Sequence, residues 1–327
     1  MKYLVTGGTG FIGSAIVKSL VKLGNNVTVI DNNYRGKGSR FTKDIDFNFI
    51  EGDVRNLEEM EEACSGAEVL VHAAFINGTK RFYEQPYQVV DVGINRVINL
   101  IKSIDHSSIR RIILISSSEV YQSPSMVPTP ENIPLVIPDL SNPRYSYGGS
   151  KIASELALYH YCKFKNLDLQ IIRPHNIYGS DMGEEHVISE IALKLQNAIN
   201  SNRQIIDLQG SGDESRSFCY IEDFIQGFEL ISSLPFNNCQ EVFNVGTDEE
   251  VKISKLVKLM TNKFGINIDY NYLPPPQGGT LRRCPDITKL KSIGFASQYD
   301  LDSGLNLFLD WFKKVNSNKD TAYRSDS

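Results

Sequence analysis

A glycine-rich turn near the N-terminus is the feature that most constrains the fold. Gly7, Gly10 and Gly13 follow the apolar segment Tyr3–Val5 and open the helical pattern Phe11–Leu23. Glycine permits a tight turn and a close approach of the backbone to a pyrophosphate, and the free N–H groups of a helix N-terminus favour phosphate. The turn therefore predicts a strand–turn–helix unit that binds a dinucleotide, with a plain strand–helix turn as the alternative.

Short apolar runs alternate with longer helical patterns through the first half of the chain. The runs are rich in Val, Ile and Leu and lack strict alternation, as expected for strands covered on both faces of a parallel sheet. The predicted strands are Tyr3–Val5, Val27–Ile30, Phe47–Ile50, Val69–Val71, Ile112–Ile115 and Leu169–Ile172. The predicted helices are Phe11–Leu23, Leu57–Cys64, Tyr87–Ile104 and Tyr145–Phe164. This alternation predicts the α/β class, with a Rossmann-type doubly wound parallel sheet.

Helical patterns dominate the second half, with short strands near Val242–Val245 and Ile268–Tyr272. We therefore predict a smaller mixed α/β lobe that binds the substrate, followed by a polar tail that frays. The predicted division is a dinucleotide-binding domain over 1–173, to which 217–246 returns, a lobe over 174–216 and 247–315, and a tail over 316–327.

Composition and charge exclude several classes of protein. The chain has 34 Lys and Arg against 39 Asp and Glu, and this net charge of −5 argues against nucleic acid as the main partner. It has no run of about 18 apolar residues and no apolar signal-peptide core, so we expect no membrane partner. Its five cysteines are irregularly spaced without a C-x-x-C pair, which predicts no metal site and fits a cytoplasmic location.

Asp31 closes the second predicted strand, 18 residues after Gly13. An acidic side chain at this point accepts hydrogen bonds from a ribose 2′-hydroxyl and repels a 2′-phosphate, so it favours NAD over NADP. Arg35, Lys37 and Arg40 follow and could weaken that preference, although a solvated loop is the preferred interpretation.

Asp53 and Val54 follow the third predicted strand. Their position at a strand end is suitable for contact with an adenine ring. A simple strand-end cap is an equally open interpretation of Asp53.

A cluster of polar residues follows the fifth predicted strand. Ser117, Ser118 and Glu119 lie at its carboxyl end, the edge at which ligands bind in doubly wound sheets. Farther along the chain, Tyr147 and Lys151 are four residues apart in a predicted helix, so they share one face.

The pair Tyr147 and Lys151 has a chemical rationale. A phenol with a pKa of about 10 is a poor base, but a nearby ammonium and a cationic nicotinamide both favour the phenolate. Tyr147 could then remove a proton from a substrate hydroxyl while hydride leaves for the cofactor. Tyr145 competes for this role, but it is six residues from Lys151 and points elsewhere.

These residues, with further motifs, resemble the extended short-chain dehydrogenases/reductases of the NAD-dependent nucleotide-sugar epimerase/dehydratase family. The resemblance covers roughly residues 1–315. It rests on Thr6–Gly13, Asp31–Asn32, Gly52–Val54, His72–Ala74, Ser116–Tyr121, Tyr147–Lys151, Arg173–Gly179, Arg216–Asp223 and Phe243–Gly246.

The resemblance implies NAD as the cofactor and a nucleotide-sugar as the substrate. The residues implied to contact NAD are Gly7, Gly10, Phe11, Ile12, Gly13, Asp31, Asn32, Asp53, Val54, Ala73, Ala74, Tyr147, Lys151 and His175. Tyr147 would be the base, Lys151 would hold the nicotinamide ribose, and Ser117 or Ser118 would bind the sugar hydroxyl. A homodimer is also implied, paired through Tyr87–Ile104 and Tyr145–Phe164.

Three residues are implied to bind the substrate. Asn176 would contact the diphosphate region, and Arg216 would pair with a phosphate through its planar fork. Arg283 lies where relatives that decarboxylate sugar nucleotides carry an arginine facing the diphosphate. A surface or interdomain ion pair is the alternative for both arginines.

Glu119 bears on the type of reaction. Family members form a keto sugar by removing hydride, usually from C4, and then epimerise, eliminate water or decarboxylate. Glu119 resembles the glutamate of GDP-mannose dehydratases and UDP-glucuronate decarboxylases, where it would be a second acid or base. A structural carboxylate is the alternative. We expect an epimerase/dehydratase, with a uronate decarboxylase as runner-up and a catalytically silent NAD-binding regulator as a different class.

The chain departs from the family pattern in several places. Gln122 replaces the usual glycine after the strand-end tyrosine, and Gly93 and Arg96 break an Asn-x-x-Gly-Thr pattern. His175 stands where bulky apolar residues are more usual and could lie near the nicotinamide. His186 could touch the sugar, although a structural role is the preferred interpretation.

Overall fold

The computed structural model describes residues 1–275 and 277–325, and the side chains of the last helix as far as Asn316. The strands are β1 (Lys2–Thr6), β2 (Asn26–Asp31), β3 (Asn48–Glu51), β4 (Val69–His72), β5 (Arg111–Ile115), β6 (Asp168–Pro174), β7 (Ile177–Tyr178), β8 (Ile205–Gln209), β9 (Ser215–Arg216), β10 (Cys219–Tyr220), β11 (Gln240–Val245), β12 (Val251–Lys252), β13 (Asp269–Leu273) and β14 (Arg282–Arg283). The helices are α1 (Phe11–Lys22), α2 (Leu57–Cys64), α3 (Thr79–Glu84), α4 (Pro86–Ile104), α5 (Tyr145–Lys165), α6 (Val187–Asn200), α7 (Ile221–Ser232), α8 (Ile253–Phe264), α9 (Thr288–Ser292) and α10 (Leu301–Ser325), and 3₁₀ turns cover Gly38–Arg40 and Ser118–Tyr121.

A seven-stranded parallel sheet forms the centre of the fold. Its order is β11-β6-β5-β4-β1-β2-β3, and each neighbouring pair is parallel. The direction of the strand order reverses at β1, which lies between β2 and β4, so a crevice opens at the carboxyl ends of these strands. The predicted Rossmann-type doubly wound sheet is confirmed.

Both faces of this sheet are covered. Val5 and Val71 belong to a core cluster that includes α1 and α7, whereas Leu4 and Leu70 belong to a second cluster that includes α2, α4 and α5. All four side chains are fully buried. Consecutive strand residues point to opposite faces, so burial of both faces explains why the apolar runs lack polar alternation.

The C-terminal half contributes one edge of the central sheet and several small sheets. Strand β11 pairs with β6, and the small sheets are β7–β10, β12–β9–β14 and β8–β13. Within the second of these, Arg216 of β9 lies opposite Arg283 of β14. The sheets thus bring two arginines together that are far apart in the sequence. The domain boundaries given above remain a prediction.

Several elements differ from expectation. Helices α3 and α9 were not predicted, because six and five residues are too few to show a helical period, and strand β8 was not predicted either. The segment expected to form a frayed tail from residue 316 is helical as far as Ser325, where α10 ends. That segment contains no glycine or proline to end the helix. Residues 326–327 lie outside the described residues. Among the helices described, none combines the length and apolarity needed to cross a membrane.

Candidate active site

A cavity of about 1290 Å³ opens at the carboxyl ends of the central strands. It extends from the glycine-rich turn to residues of β9 and β14. The predicted site residues that line it are Gly7, Gly10, Phe11, Ile12, Gly13, Asp31, Asn32, Asp53, Val54, Ala73, Ala74, Ser117, Ser118, Glu119, Tyr147, Lys151, Asn176, Arg216 and Arg283. The structure therefore brings all of the predicted site residues together except His175.

The glycine-rich turn is tight enough to exclude side chains. Gly7 has a φ of +71°, and a Cβ built on it would lie 2.5 Å from the Cα atom of Ala74. A Cβ on Gly13 would overlap the carbonyl oxygen of Gly7. The turn consequently packs against Ala74 and leaves the N-terminus of α1, which follows Gly10, open to the cavity. Free N–H groups at such a terminus can bind a pyrophosphate.

Asp31 and Asp53 lie beside this turn at the ends of two neighbouring strands. The Asp31 carboxylate accepts hydrogen bonds from the backbone N–H groups of Thr9 (3.0 Å) and Asn33 (2.8 Å). Asp53 accepts from the Asn32 amide (2.9 Å) and pairs with Arg55 (2.8 Å), whose hydrogen bond lowers the Asp53 pKa. Both carboxylates are therefore fixed by local contacts while facing the cavity.

The loop after β2 crosses to the segment that precedes α6. Arg40 donates to Asp181 Oδ2 (2.6 Å), to the Asp181 carbonyl oxygen (2.9 Å) and to the Thr9 carbonyl oxygen (2.7 Å). Arg35 lies 3.6 Å from Glu185. The interpretation of a solvated loop is thus wrong for Arg35 and Arg40, because both guanidinium groups have carboxylate partners across the cavity. Lys37 is exposed.

Tyr147 lies at the inner end of the cavity. Its ring stacks on Phe82 (4.7 Å between centroids) and meets the edge of Phe75 (4.9 Å). Burial raises the pKa of Tyr147 to about 12, although the Ser117 hydroxyl lowers it. The charge of Glu119 raises this pKa, and the cations Arg96 and Arg35 lower it. Tyr145, the competitor for the role of base, is not part of the cavity wall.

Lys151 lies on the same face of α5, one helical turn after Tyr147. Its Nζ donates to the Ile115 carbonyl oxygen (2.7 Å) and lies 5.7 Å from the Tyr147 ring centroid. Burial, and then the charge of Arg96, hold the Lys151 pKa well below its usual range. The Lys151 side chain is thus buried and bonded to a backbone carbonyl oxygen.

Glu119 is held by arginines. Its Oε1 lies 2.7 Å from Arg283 Nη1 and 3.6 Å from Arg144 Nη2. Burial raises its pKa, but the charges of Arg283, Arg144 and Arg216 outweigh burial and lower the pKa to about 2. Glu119 is consequently a carboxylate at neutral pH, and Arg283 forms the ion pair that was the alternative to phosphate binding. Ser118 beside it is buried.

Arg216 and Asn176 also line the cavity. The Arg216 guanidinium donates to the carbonyl oxygens of Ser215 (2.7 Å), Leu281 (3.1 Å) and Thr280 (2.7 Å). The Asn176 amide donates to the Ser217 carbonyl oxygen (2.8 Å). These backbone contacts hold both polar groups at the cavity wall.

His175, which was expected to contact the cofactor, does not line the cavity. Its side chain is fully buried, and Nε2 lies 3.1 Å from Asn244 Oδ1. Burial lowers its pKa to about 3, so the imidazole is neutral. His186 does line the cavity, and burial lowers its pKa to about 4, so it too is neutral.

Sequence reasoning missed several groups around the catalytic candidates. Phe75, Phe82 and Arg144 carry no signal in the sequence, because their roles arise from contacts between elements. Gln122 and Arg96 did stand out as departures from the family pattern. Gln122 has a φ of +50°, a left-handed conformation that glycine adopts at no steric cost, and its amide donates to the Glu119 carbonyl oxygen (2.6 Å).

The chain is similar to known proteins along nearly all of its length. The model of the NAD-dependent epimerase/dehydratase family matches residues 3–246. The chain is 27% identical to a putative UDP-glucose 4-epimerase of Methanocaldococcus jannaschii, covering 96% of this chain and 99% of that protein. It is also 27% identical to UDP-glucuronic acid decarboxylase 1 of Danio rerio, covering 96% and 73%.

Structural comparison agrees. The crystal structure of UDP-glucose 4-epimerase with UDP-glucose from Thermotoga maritima superposes with a TM-score of 0.85 at 27% identity, covering 96% of this chain and 99% of that one. The match to the family model spans the glycine-rich turn, the Ser117–Tyr147 pair and β11. The chain belongs to the NAD-dependent epimerase/dehydratase family.

Proposed function

We propose that the protein binds NAD in the cavity and converts a nucleotide-sugar by removing hydride, at C4, to give a keto sugar that is reduced again within the same turnover. One observation carries this proposal. Ser117, Tyr147 and Lys151 line the same cavity as the glycine-rich turn. Membership of the family supports the same reaction class.

The residues around the turn fit NAD. The absence of side chains at Gly7 and Gly13 leaves the N-terminus of α1 accessible to a pyrophosphate. The Asp31 carboxylate accepts two backbone N–H bonds, which leaves lone pairs for the ribose hydroxyls. When bound, NAD accepts hydride and returns it. Arg35 and Arg40 are engaged by carboxylates, which supports NAD over NADP.

In this proposal Tyr147 is the base, and Ser117 orients the sugar hydroxyl toward it. Tyr147 must lose its proton before it can accept one from the substrate, so turnover rises with pH through the pKa of the phenol. Lys151 holds the nicotinamide ribose, whose hydroxyls offer acceptors for an Nζ that now donates to the Ile115 carbonyl oxygen. Asn176 and Arg216 bind the diphosphate, since backbone contacts hold both polar groups at the cavity wall.

A panel of UDP-, GDP-, CDP- and dTDP-sugars tests the proposal. We expect at least one sugar to be converted without net accumulation of NADH, read by chromatography of the sugar and by absorbance of the cofactor. Stoichiometric NADH would indicate a plain dehydrogenase instead. NAD binding without conversion of any sugar in the panel would favour a catalytically silent regulator.

A uronate decarboxylase is the second candidate, and the ion pair of Glu119 with Arg283 favours it. An arginine beside the reacting sugar can hold a 6-carboxylate, which leaves as carbon dioxide once C4 is a ketone. The similarity to a UDP-glucuronic acid decarboxylase supports this reading. Release of carbon dioxide from UDP-glucuronate would select it, and epimerisation with the carboxylate retained would exclude it.

We further propose a homodimer that pairs through α4 and α5. The exposed apolar side chains on these two helices are Tyr87, Ile94, Ile98, Leu156 and Phe164. A cytoplasmic location is also proposed, supported by five cysteines that are all free thiols.

A further inference from the structure

Arg96 of α4 is a buried cation without a counter-ion. Its side chain is fully buried, and none of the acidic side chains that the structure describes forms an ion pair with it. Nη1 donates to the Ala74 carbonyl oxygen (2.7 Å) and Nη2 to Ser154 Oγ (3.2 Å), while Nε has no partner within the described chain. A buried charge without an anion is costly, so such a residue calls for a compensating group.

One phenyl ring connects Arg96 to the catalytic candidates. The Arg96 Cζ atom lies 4.4 Å from the centroid of Phe75, and Lys151 Nζ lies 4.5 Å from the same centroid. The ring of Tyr147 meets the edge of Phe75 at 4.9 Å. Two cations and the phenol therefore surround one apolar ring, where water does not screen their interaction.

The candidate for the compensating group is the phenolate of Tyr147. Burial lowers the pKa of Arg96. Among the described residues, Tyr147 is the ionisable group whose negative charge raises that pKa. The interaction is mutual, because Arg96 lowers the pKa of Tyr147. The same cation lowers the pKa of Lys151, whose own capacity to stabilise an anion is thereby reduced.

We propose that Arg96 is a positioning residue whose fixed buried charge stabilises the phenolate of Tyr147, a task it shares with Lys151. This inference rests on the proposed role of Tyr147 as the base. It assigns a purpose to a residue that breaks the usual pattern of this helix. An arginine suits the task because its guanidinium holds its proton more strongly than the ammonium of a lysine does.

Other charged groups also face these residues, and the test must hold them constant. Tyr147 is faced by Glu119 from the 3₁₀ turn and by Arg35 from the loop after β2. Arg96 is near His72 of β4, and Lys151 is faced by Glu155 of its own helix. Variants at position 96 leave all of these groups in place.

The test is a titration of Tyr147 by NMR in the NAD-bound protein labelled at tyrosine Cζ. The resonance of Tyr147 among the 15 tyrosines is identified by its loss in Tyr147→Phe. We expect it to titrate between pH 7 and 10 in the wild type and about one pH unit higher in Arg96→Met. Arg96→Lys should stay closer to the wild type, because it keeps the charge. The acid limb of the pH profile of turnover should shift in the same direction. At a given pH on this limb, turnover should therefore be about tenfold lower in Arg96→Met than in the wild type.

Ser154→Ala is the matched control, since it removes an acceptor of Arg96 without changing any charge. Its midpoint should equal that of the wild type. An unchanged midpoint in Arg96→Met would overturn the proposal, and so would equal shifts in Arg96→Met, Arg96→Lys and Ser154→Ala. The proposal would also be overturned if the wild-type Tyr147 resonance kept the chemical shift of a neutral phenol up to pH 10. If Arg96→Met fails to fold, Arg96→Gln takes its place in the same comparison.

The titration needs no sugar substrate, so it is separate from the proposed function. A raised midpoint in Arg96→Met supports the role of Arg96 even where no sugar of the panel is converted. An unchanged midpoint rejects that role even in an enzyme that turns over.

Discussion

The phenol hydroxyl of Tyr147 is the single group on which the proposed chemistry depends most. Tyr147→Phe keeps the ring beside Phe75 and Phe82 but removes the hydroxyl proposed to act as the base. We expect turnover to fall by roughly 10³-fold, because general base catalysis contributes about 10²–10⁴. NAD affinity should be unchanged, as measured by calorimetry.

Tyr145→Phe is the control for this substitution. It removes a hydroxyl from the same helix at a position outside the cavity wall, so turnover should stay within about twofold of the wild type. Retained activity in Tyr147→Phe, or its loss in Tyr145→Phe, would contradict the assignment of the base.

Glu119 gives a prediction on stability and pH. Its pKa in the folded protein is about 2, below its ordinary value, because Arg283 and Arg144 favour the carboxylate. The stabilisation is therefore complete above the pKa of the unfolded state and is lost as the pH falls from about 4.5 to about 2. The free energy of unfolding of Glu119→Gln should be lower than that of the wild type by about 2 kcal/mol at pH 7.

Urea unfolding at a series of pH values measures this difference. The gap between wild type and Glu119→Gln should be constant above about pH 5 and should narrow below it. Glu62→Gln, an exposed position on α2, should differ from the wild type by less than about 0.5 kcal/mol throughout. A gap that widens toward low pH would contradict the ion pair.

At this scale, the sequence predicts residues that belong to backbone motifs. The glycines and the Tyr147–Lys151 pair were recognisable because a turn and a helical spacing fix their positions. The lowered pKa of Lys151 was not, because it depends on burial and then on Arg96 from another helix. His175 is a related case: the resemblance implied a cofactor contact, but the side chain is buried, with Nε2 3.1 Å from Asn244 Oδ1.

Close packing within the glycine-rich turn restricts the start of α1. Gly13 opens the first helix so close to Gly7 that a Cβ would overlap its carbonyl oxygen. Gly13→Ala should therefore distort the turn and weaken NAD binding by more than about tenfold, a loss of about 1.4 kcal/mol or more. Gly38→Ala is the control, because a Cβ there meets nothing within 4 Å. Equal NAD affinities in calorimetry would contradict the proposed cofactor site.

The loop after β2 provides another prediction. Arg40 ties this loop to Thr9 and Asp181, and its side chain is 7% exposed. Arg40→Ala should leave the loop less ordered and raise the Kd for NAD about fivefold, or about 1 kcal/mol, because binding must then order it. Asp181→Asn should act in the same direction, whereas the exposed Lys37→Ala should have no effect.

A double mutant tests whether this contact is the cause. If Arg40 and Asp181 act through their ion pair, Arg40→Ala combined with Asp181→Asn should cost less than the sum of the single losses. Strictly additive losses would mean that the two residues act separately.

The architecture of the whole chain was predictable where burial imposes a repeating pattern. Strands β1, β2, β4, β5 and β6 of the central sheet carry buried apolar runs, and the helices between them, apart from α3, are long enough to show a period. The sheets β7–β10 and β12–β9–β14 consist of two-residue strands, which are too short to carry any pattern. Their pairing nevertheless decides that Arg216 lies beside Arg283, so this part of the cavity wall is visible only in three dimensions.

Exposed apolar side chains on α4 bear on how the chain assembles. Tyr87, Ile94 and Ile98 are seven and four residues apart, so they share one face of α4, where they are 80%, 39% and 41% exposed. Exposed apolar side chains gathered on one helix face indicate a protein–protein contact. We expect the wild type to sediment as a dimer and Ile98→Glu as a monomer. Leu307→Glu, at an equally exposed position of α10, should remain dimeric, because a charge there does not enter the α4–α5 contact. A monomeric wild type, or a dimer that both substitutions disrupt alike, would remove α4 and α5 as the contact surface.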